Sequence, residues 1–296
     1  MPIAIGSTRP GSGNAPFDSV RTVAYLSIFH LTPYALPHYI GSVGHPVEQG
    51  TRSPEEVATD PASLQSRNHL LEVVPPHEFR ELAPHLTTVD LRSKHCLAEP
   101  NRTIEAVYFP LDAVVSLAAV CEDGLVVEVG SVGCEGMTGL PVLLGTERSI
   151  GRLVVQIAGQ AERMEAAVLE REAGHLPQFR RLLHLYVQAF MTQIAQGTAC
   201  NRLHPAEQRL ARWLLICRDR VGRDHLPITQ ETLSMMLGVR RATVTEAAGA
   251  LQRRGSIQYH RGVVAIVDRP RLEAAACECY GIVREEFGRL LGVRVG

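Results

Sequence analysis

The stretch LPITQETLSMMLGVRRATVTEAAGALQRRGSIQYHRGVVAIVD, residues 226–268, changes its periodicity twice. Thr229 stands where a hydroxyl can cap a short helix that buries Leu233, Met236 and Leu237. Gly238 follows, where a tight turn needs permissive backbone geometry. A second helix is predicted from about Arg241 to Arg253: Val244, Ala248 and Leu251 recur at spacings of four and three on one face, and Arg241, Thr245 and Glu246 lie on the other. After Gly255, SIQYH and GVVAIVD alternate around Arg261-Gly262 as a β-hairpin does. Helix, glycine turn, helix and hairpin predict a winged helix-turn-helix.

The side chains on its polar face suit a nucleic acid. An α-helix fits the DNA major groove, Arg can contact guanine through two hydrogen bonds, and Glu can accept from the cytosine amino group. Thr and Arg near the helix start suit phosphates, which position a protein without reading sequence. On an isolated helix the same charges would read as solvated surface; the turn, the hairpin and the local charge select DNA. Residues 201–296 hold 16 Arg, no Lys and 10 acidic residues, a balance of +6, which leaves −7 for the rest of a chain whose net charge is −1. Such an asymmetry points the C-terminal part toward a polyanion.

Upstream, Pro205 follows a break at His204 and opens a helix burying Leu210, Trp213 and Leu214. Between Pro177 and Arg202, Phe179, Leu183, Tyr186 and Phe190 alternate spacings of four and three, widened by Leu182, Leu185, Ala189 and Thr192, as in a coiled-coil seam. That predicts a dimerisation helix; a helix packed on its own β domain would give the same pattern. From Thr88 to about Met164 the runs TTVDL, AVYFP, AVVSLAAV, VVEVGSVG and RLVVQIAG, separated by turn signals, predict an antiparallel β-roll of jelly-roll type. NHLLEVVPPHEFRELAPHL, from Asn68, predicts two short helices parted by Pro75 and Pro76. Residues 1–66, rich in Gly, Pro, Ser and Thr, are expected to be a disordered extension, with an apolar patch from Val23 to Ile40 that suits either docking or nothing at all. The predicted organisation is therefore α+β: extension 1–66, β-roll sensor 67–170, dimerisation helix 171–203, winged helix-turn-helix 204–280 and helical tail 281–296.

With 296 residues, 45% of them hydrophobic, the chain can bury two domains' worth of core. No apolar run reaches the length of a membrane span and no signal-peptide pattern opens the chain, so a cytoplasmic location and no membrane partner are expected. Seven scattered cysteines, with only Cys277 and Cys279 close together, suggest reduced thiols rather than a disulfide framework or a CxxC metal site. His95 and Cys96 are neighbours on a strand and point to opposite faces; Cys121, Cys134 and Cys200 read as small core residues. No metal site is expected. The rival class, a cupin-like metal enzyme, needs a His-x-His pair; residues 68–170 contain none, nor does a nucleophilic triad or a phosphate loop announce itself, so no catalytic residue is assigned.

From about residue 68 to 280, and most closely over ITQETLSMMLGVRRATVTEAAGAL, the chain resembles the Crp/Fnr family of bacterial transcription regulators. The resemblance implies a cyclic-nucleotide-binding-type roll, a dimerisation helix and a homodimer reading a pseudo-palindromic operator in double-stranded DNA, with RNA polymerase a further candidate partner. It places Arg241 at the leading base-contacting Arg, Thr243 at a phosphate-contacting Thr, and Thr229 and His260 at backbone contacts. The expected DNA-binding set is Thr229, Gln230, Arg240, Arg241, Thr243, Thr245, Glu246, His260 and Arg261. Ala242 stands where the family commonly has a base-reading Glu, and Glu246 where a second base-reading Arg occurs, so the preferred operator should differ. In the roll, Glu135 and the pair Arg148 and Ser149 resemble the family's ribose-binding and phosphate-binding residues, although 13 residues rather than about ten separate Glu135 from Arg148. Arg148 equally suits a carboxylate on a turn. Three options stay open: a cyclic nucleotide, another small effector, or no ligand, the last making a constitutive regulator with a degenerate sensor.

Overall fold

A computed structural model of the chain describes residues 66–122, 124 and 126–293; the predicted extension and its apolar patch lie outside the described residues apart from Ser66. Two short helices open it, α1 (His69–Glu72) and α2 (Pro76–Leu82). Asn68 caps α1 by accepting from the Leu70 and Leu71 amides, and Pro76 at the first turn starts α2 where no amide donor is missed.

The strands β1 (Thr87–Leu91), β2 (Cys96–Ala98), β3 (Ala106–Pro110), β4 (Val114–Val120) and β5 (Val126–Val132) follow, then the turn of helix α3 (Leu140–Leu143), then β6 (Arg152–Ile157) and β7 (Gly159–Glu165). They pair antiparallel as β1-β7-β3 and β2-β6-β4-β5, the predicted roll. Two of these strands carry weak signals. β2 has only three residues, and β7 (GQAERME) buries just Ala161 and Met164 among mostly polar residues.

Helices α4 (Ala166–His175) and α5 (Pro177–Leu203) come next, broken at Leu176-Pro177 within the span predicted as one dimerisation helix. The remaining elements are α6 (Ala206–Val221), β8 (His225–Pro227), α7 (Gln230–Leu237), α8 (Arg241–Arg253), β9 (Ile257–His260), β10 (Val263–Ile266), α9 (Arg269–Ala275) and α10 (Cys279–Leu291). β9 and β10 form the hairpin, and β8 adds to the outer side of β10.

The packing departs from the sequence expectation in two respects. Phe179, Leu183, Tyr186, Ala189 and Phe190, taken as a dimer seam, are buried within their own chain. They join one core with the roll, α1, α2, α4 and the Val283, Phe287 and Leu291 face of α10; Tyr186 packs edge-on to Phe287 with ring centroids 6.2 Å apart. The roll supplies the nearer apolar surface, so the stripe turns inward. Nor do the expected domain limits separate two cores: α10 belongs to the roll's core, and Val114 and Ile157 of the roll lie in the helix-turn-helix core with Trp213, Leu233, Val244 and Leu251.

The cysteines differ from expectation too. Cys200 and the distant pair Cys277 and Cys279 converge with His204 where α5 ends and α10 begins. Spacing along the chain did not reveal this, because two pairs more than 70 residues apart are joined only by the fold.

Candidate nucleic-acid interface

The helix-turn-helix is built as its sequence demands. The Thr229 hydroxyl accepts from the Thr232 amide and caps α7. Gly238, at φ +61°, ends α7 in the left-handed region, and the Ser234 hydroxyl donates to the Val239 carbonyl to close the turn. α8 then buries Val244, Ala247, Ala248 and Leu251 and leaves Arg241, Thr245 and Glu246 exposed. The hairpin turn carries Arg261 at φ +47° and Gly262 at φ +80°, both left-handed, as the tight turn joining two antiparallel strands requires. Arg in that conformation costs about 1 kcal/mol that Gly or Asn would avoid. The turn holds His260 and Arg261 exposed at its tip.

These elements enclose an open groove of about 570 Å³ lined by Thr229, Gln230, Glu231, Arg241, Tyr259, Arg261 and Gly262. Thr229, Gln230, Arg241 and Arg261 of the expected set thus meet at one place. Thr243, Thr245 and Glu246 continue along α8, with Thr243 half-buried, Thr245 donating to the Arg241 carbonyl at 3.0 Å, and Arg240 at the N-cap. Glu231 and Tyr259 were not foreseen. Arg241 donates to Glu231 at 2.8 Å, with both side chains more than half exposed. The Tyr259 hydroxyl donates to the Ile228 carbonyl at 3.2 Å, and burial raises its pKa. A charge ten residues before Arg241 and an aromatic inside a strand carry no signal of joining a groove.

The roll treats its three candidate ligand residues differently from expectation. Glu135 is 1% exposed, and its carboxylate pairs with Arg220 of α6 at 2.7 Å. The same guanidinium donates to the Ser131 hydroxyl at 2.7 Å and to the Gln193 side-chain oxygen at 2.9 Å. Arg148 is exposed and bonds Asn101 through its carbonyl and side-chain oxygens, and the Ser149 hydroxyl donates to the Gly151 carbonyl at 2.6 Å. Arg148 and Ser149 both bond Asn101, and neither shares a partner with Glu135. The cavity beside Glu135 holds about 20 Å³, room for a water and far too little for a nucleotide.

Two glycines flanking Glu135 serve packing. A Cβ on Gly133 would stand 2.3 Å from the Arg220 stem, and one on Gly136 2.2 Å from the Tyr186 ring. The absence of a side chain at these positions lets α6 and α5 close on the roll.

Further bonds cross the same boundary. Trp213 donates to Glu128 at 3.2 Å and Arg223 donates to the Ala158 carbonyl at 3.0 Å, while within the roll the Ser116 hydroxyl donates to the other Glu128 oxygen. Burial raises the Glu128 carboxyl above the usual carboxylate range, with Ser116, Trp213 and then Arg220 opposing it.

Residues 208–275 match the model of the Crp-like helix-turn-helix domain, and that is the domain they form. Solved structures share the fold at low identity. FixK2 from Bradyrhizobium japonicum aligns with a TM-score of 0.54 at 16% identity, covering 65% of this chain and 98% of that one. The c-di-GMP responsive global regulator CLP from Xanthomonas campestris gives 0.53 at 12%, covering 65% and 99%. A putative cAMP-binding regulatory protein from Silicibacter pomeroyi gives 0.52 at 14%, covering 71% and 96%. No curated protein matches the chain. The described residues share the fold of these structures, α+β with a roll before a C-terminal Crp-like helix-turn-helix. No described helix is long and apolar enough to cross a membrane.

Proposed function

We propose that this protein is a homodimeric, DNA-binding transcription regulator of the Crp/Fnr type that reads its operator with α8. The observation that carries this reading is the convergence of Thr229, Gln230, Arg241 and Arg261 on one groove beside the exposed face of α8. α8 enters the major groove with Arg241 and Glu246 toward base edges, and Thr229, Gln230, Arg240, Thr243, Thr245, His260 and Arg261 contact or flank the phosphate backbone. The exposed ion pair of Arg241 with Glu231 does not oppose this. Such pairs contribute about 0–1 kcal/mol, less than a bidentate guanine contact at roughly 1–3 kcal/mol. Two such helices, one DNA turn apart, read a pseudo-palindrome.

The dimer forms on the face of α5 that its own chain leaves uncovered, around Met191, which is 65% exposed. The test is anisotropy titration of the full chain on DNA from its own upstream region, with sedimentation to establish the dimer. No saturable binding at low salt to that DNA or to a random-sequence pool would overturn the proposal.

A second reading concerns the sensor and rests on Arg220. The Glu135 carboxylate that the family resemblance assigns to a ribose already holds a buried guanidinium, so the roll works without a cyclic nucleotide at that corner. A ligand specific to the native state must raise stability with its concentration. Thermal melts with cyclic AMP and cyclic di-GMP are expected to be unchanged, and a concentration-dependent rise with either would sink this second reading.

A further inference from the structure

At the junction of α5 and α10, four metal-ligating side chains point at one another. Cys200 lies in the last turn of α5 and His204 caps that helix four residues on, so both share a face. Cys277 lies in the link after α9, and Cys279 opens α10. The four donor atoms all lie within 4.8 Å of one another. Cys200 Sγ is 3.5 Å from Cys277 Sγ, and Cys279 Sγ is 3.5 Å from His204 Nδ1. A zinc ion with bonds of about 2.3 Å to sulfur and 2.0–2.1 Å to nitrogen sets tetrahedral edges of about 3.8 Å between sulfurs and 3.5 Å between sulfur and nitrogen. Two of the six donor pairs stand near that spacing and the rest lie within 4.8 Å, with three sulfurs and one imidazole facing one another.

The surroundings also suit an ion. The other His204 nitrogen, Nε2, lies 3.2 Å from the Glu278 carboxylate, the partner that orients a ligating imidazole and fixes its tautomer. The Gln196 amide donates to Cys279 Sγ at 3.2 Å. The buried Nε atoms of Arg209 and Arg212 have no hydrogen-bond partner; their charge offsets the net −1 of three thiolates, one neutral imidazole and a divalent cation. The three cysteines form a buried cluster of their own, with no aliphatic member to hold the junction together.

We infer that Cys200, His204, Cys277 and Cys279 form a closed, mononuclear zinc site. Four protein ligands leave no open position, so the ion is structural. It clasps the end of α5 to the start of α10, beside the His204-Pro205 break at which α6 turns toward DNA. This inference does not depend on the DNA-binding reading, because its test measures metal.

The full-length chain, purified under reducing conditions, is expected to carry one zinc per chain by elemental analysis. After stripping with a chelator, Co²⁺ alone is expected to give the visible bands of a tetrahedral cobalt thiolate, which Zn²⁺ then removes. Cys277→Ser and Cys279→Ser lose those bands, and His204→Cys keeps them in shifted form. Glu278→Gln, at an exposed position that leaves folding intact, weakens cobalt affinity on the order of 10- to 100-fold. Wild-type protein with free thiols, no bound zinc and no cobalt bands would overturn the site. So would a mass 2 Da low with Cys200 and Cys277 joined as a disulfide.

Discussion

Arg241 and Glu246 sit a little over one turn apart on α8, and each makes a separable prediction. Arg241→Ala should weaken operator binding by about 1–3 kcal/mol and relax specificity at one base pair, with no change in the urea midpoint because the side chain is exposed. Anisotropy with single-base operator variants checks it, and a uniform loss across all sequences would reassign Arg241 to the phosphates. Arg261→Ala should do the reverse: binding falls evenly across sequences, and the slope of log affinity against log salt drops by about 1. Glu128 makes a prediction about pH. Its carboxyl is raised by burial, so the stability it contributes is complete below the unfolded value of about 4.3 and is lost as pH climbs through the raised folded value. Glu128→Gln keeps an oxygen for Trp213 and a donor for Ser116, and should flatten the fall in stability between acid and neutral pH. Urea titrations across that range decide it; parallel curves for the two proteins would count against a raised Glu128 carboxyl.

At the scale of elements, α5 teaches how far pattern carries. Its length and its stripe were legible, since Phe179, Leu183, Tyr186 and Phe190 repeat at helical spacing. Which partner the stripe meets was not, because spacing is the same whether the other surface belongs to a second copy or to the roll. What remains outside is the face around the exposed Met191. Met191→Arg should therefore shift sedimentation toward monomer at micromolar concentration while leaving the melting temperature of the monomer intact. Leu183→Ala should instead remove about 2–5 kcal/mol of stability, measured by urea denaturation. The helix-turn-helix was read almost residue for residue, since a cap, a glycine turn and a hairpin each leave a local mark. β7 and the cysteine cluster leave none: one is polar by alternation, and the other is assembled only when α9 and α10 return to α5.

Across the whole molecule, one guanidinium joins the two halves. Arg220 and Glu135 are both nearly fully buried and bonded to each other, and removing either leaves the other charge without its partner in a low-dielectric site. Glu135→Ala should cost about 3–5 kcal/mol by urea denaturation. The charge-free pair Glu135→Leu with Arg220→Met should recover much of that loss. Glu135 was picked out in sequence as a chemically loaded residue, which it is, but its partner lies 85 residues away on α6. Because α10 completes the roll's core while Val114 and Ile157 complete that of the helix-turn-helix, unfolding of the described part should be a single calorimetric transition. Two resolved peaks would mean that the cores melt independently. Shared cores also limit what recombination can do with this gene. A chimaera that joined residues 204–293 to a foreign roll would leave Trp213 and Arg220 facing surfaces never matched to them, so the roll and the helix-turn-helix must change together over evolutionary time rather than be exchanged as parts.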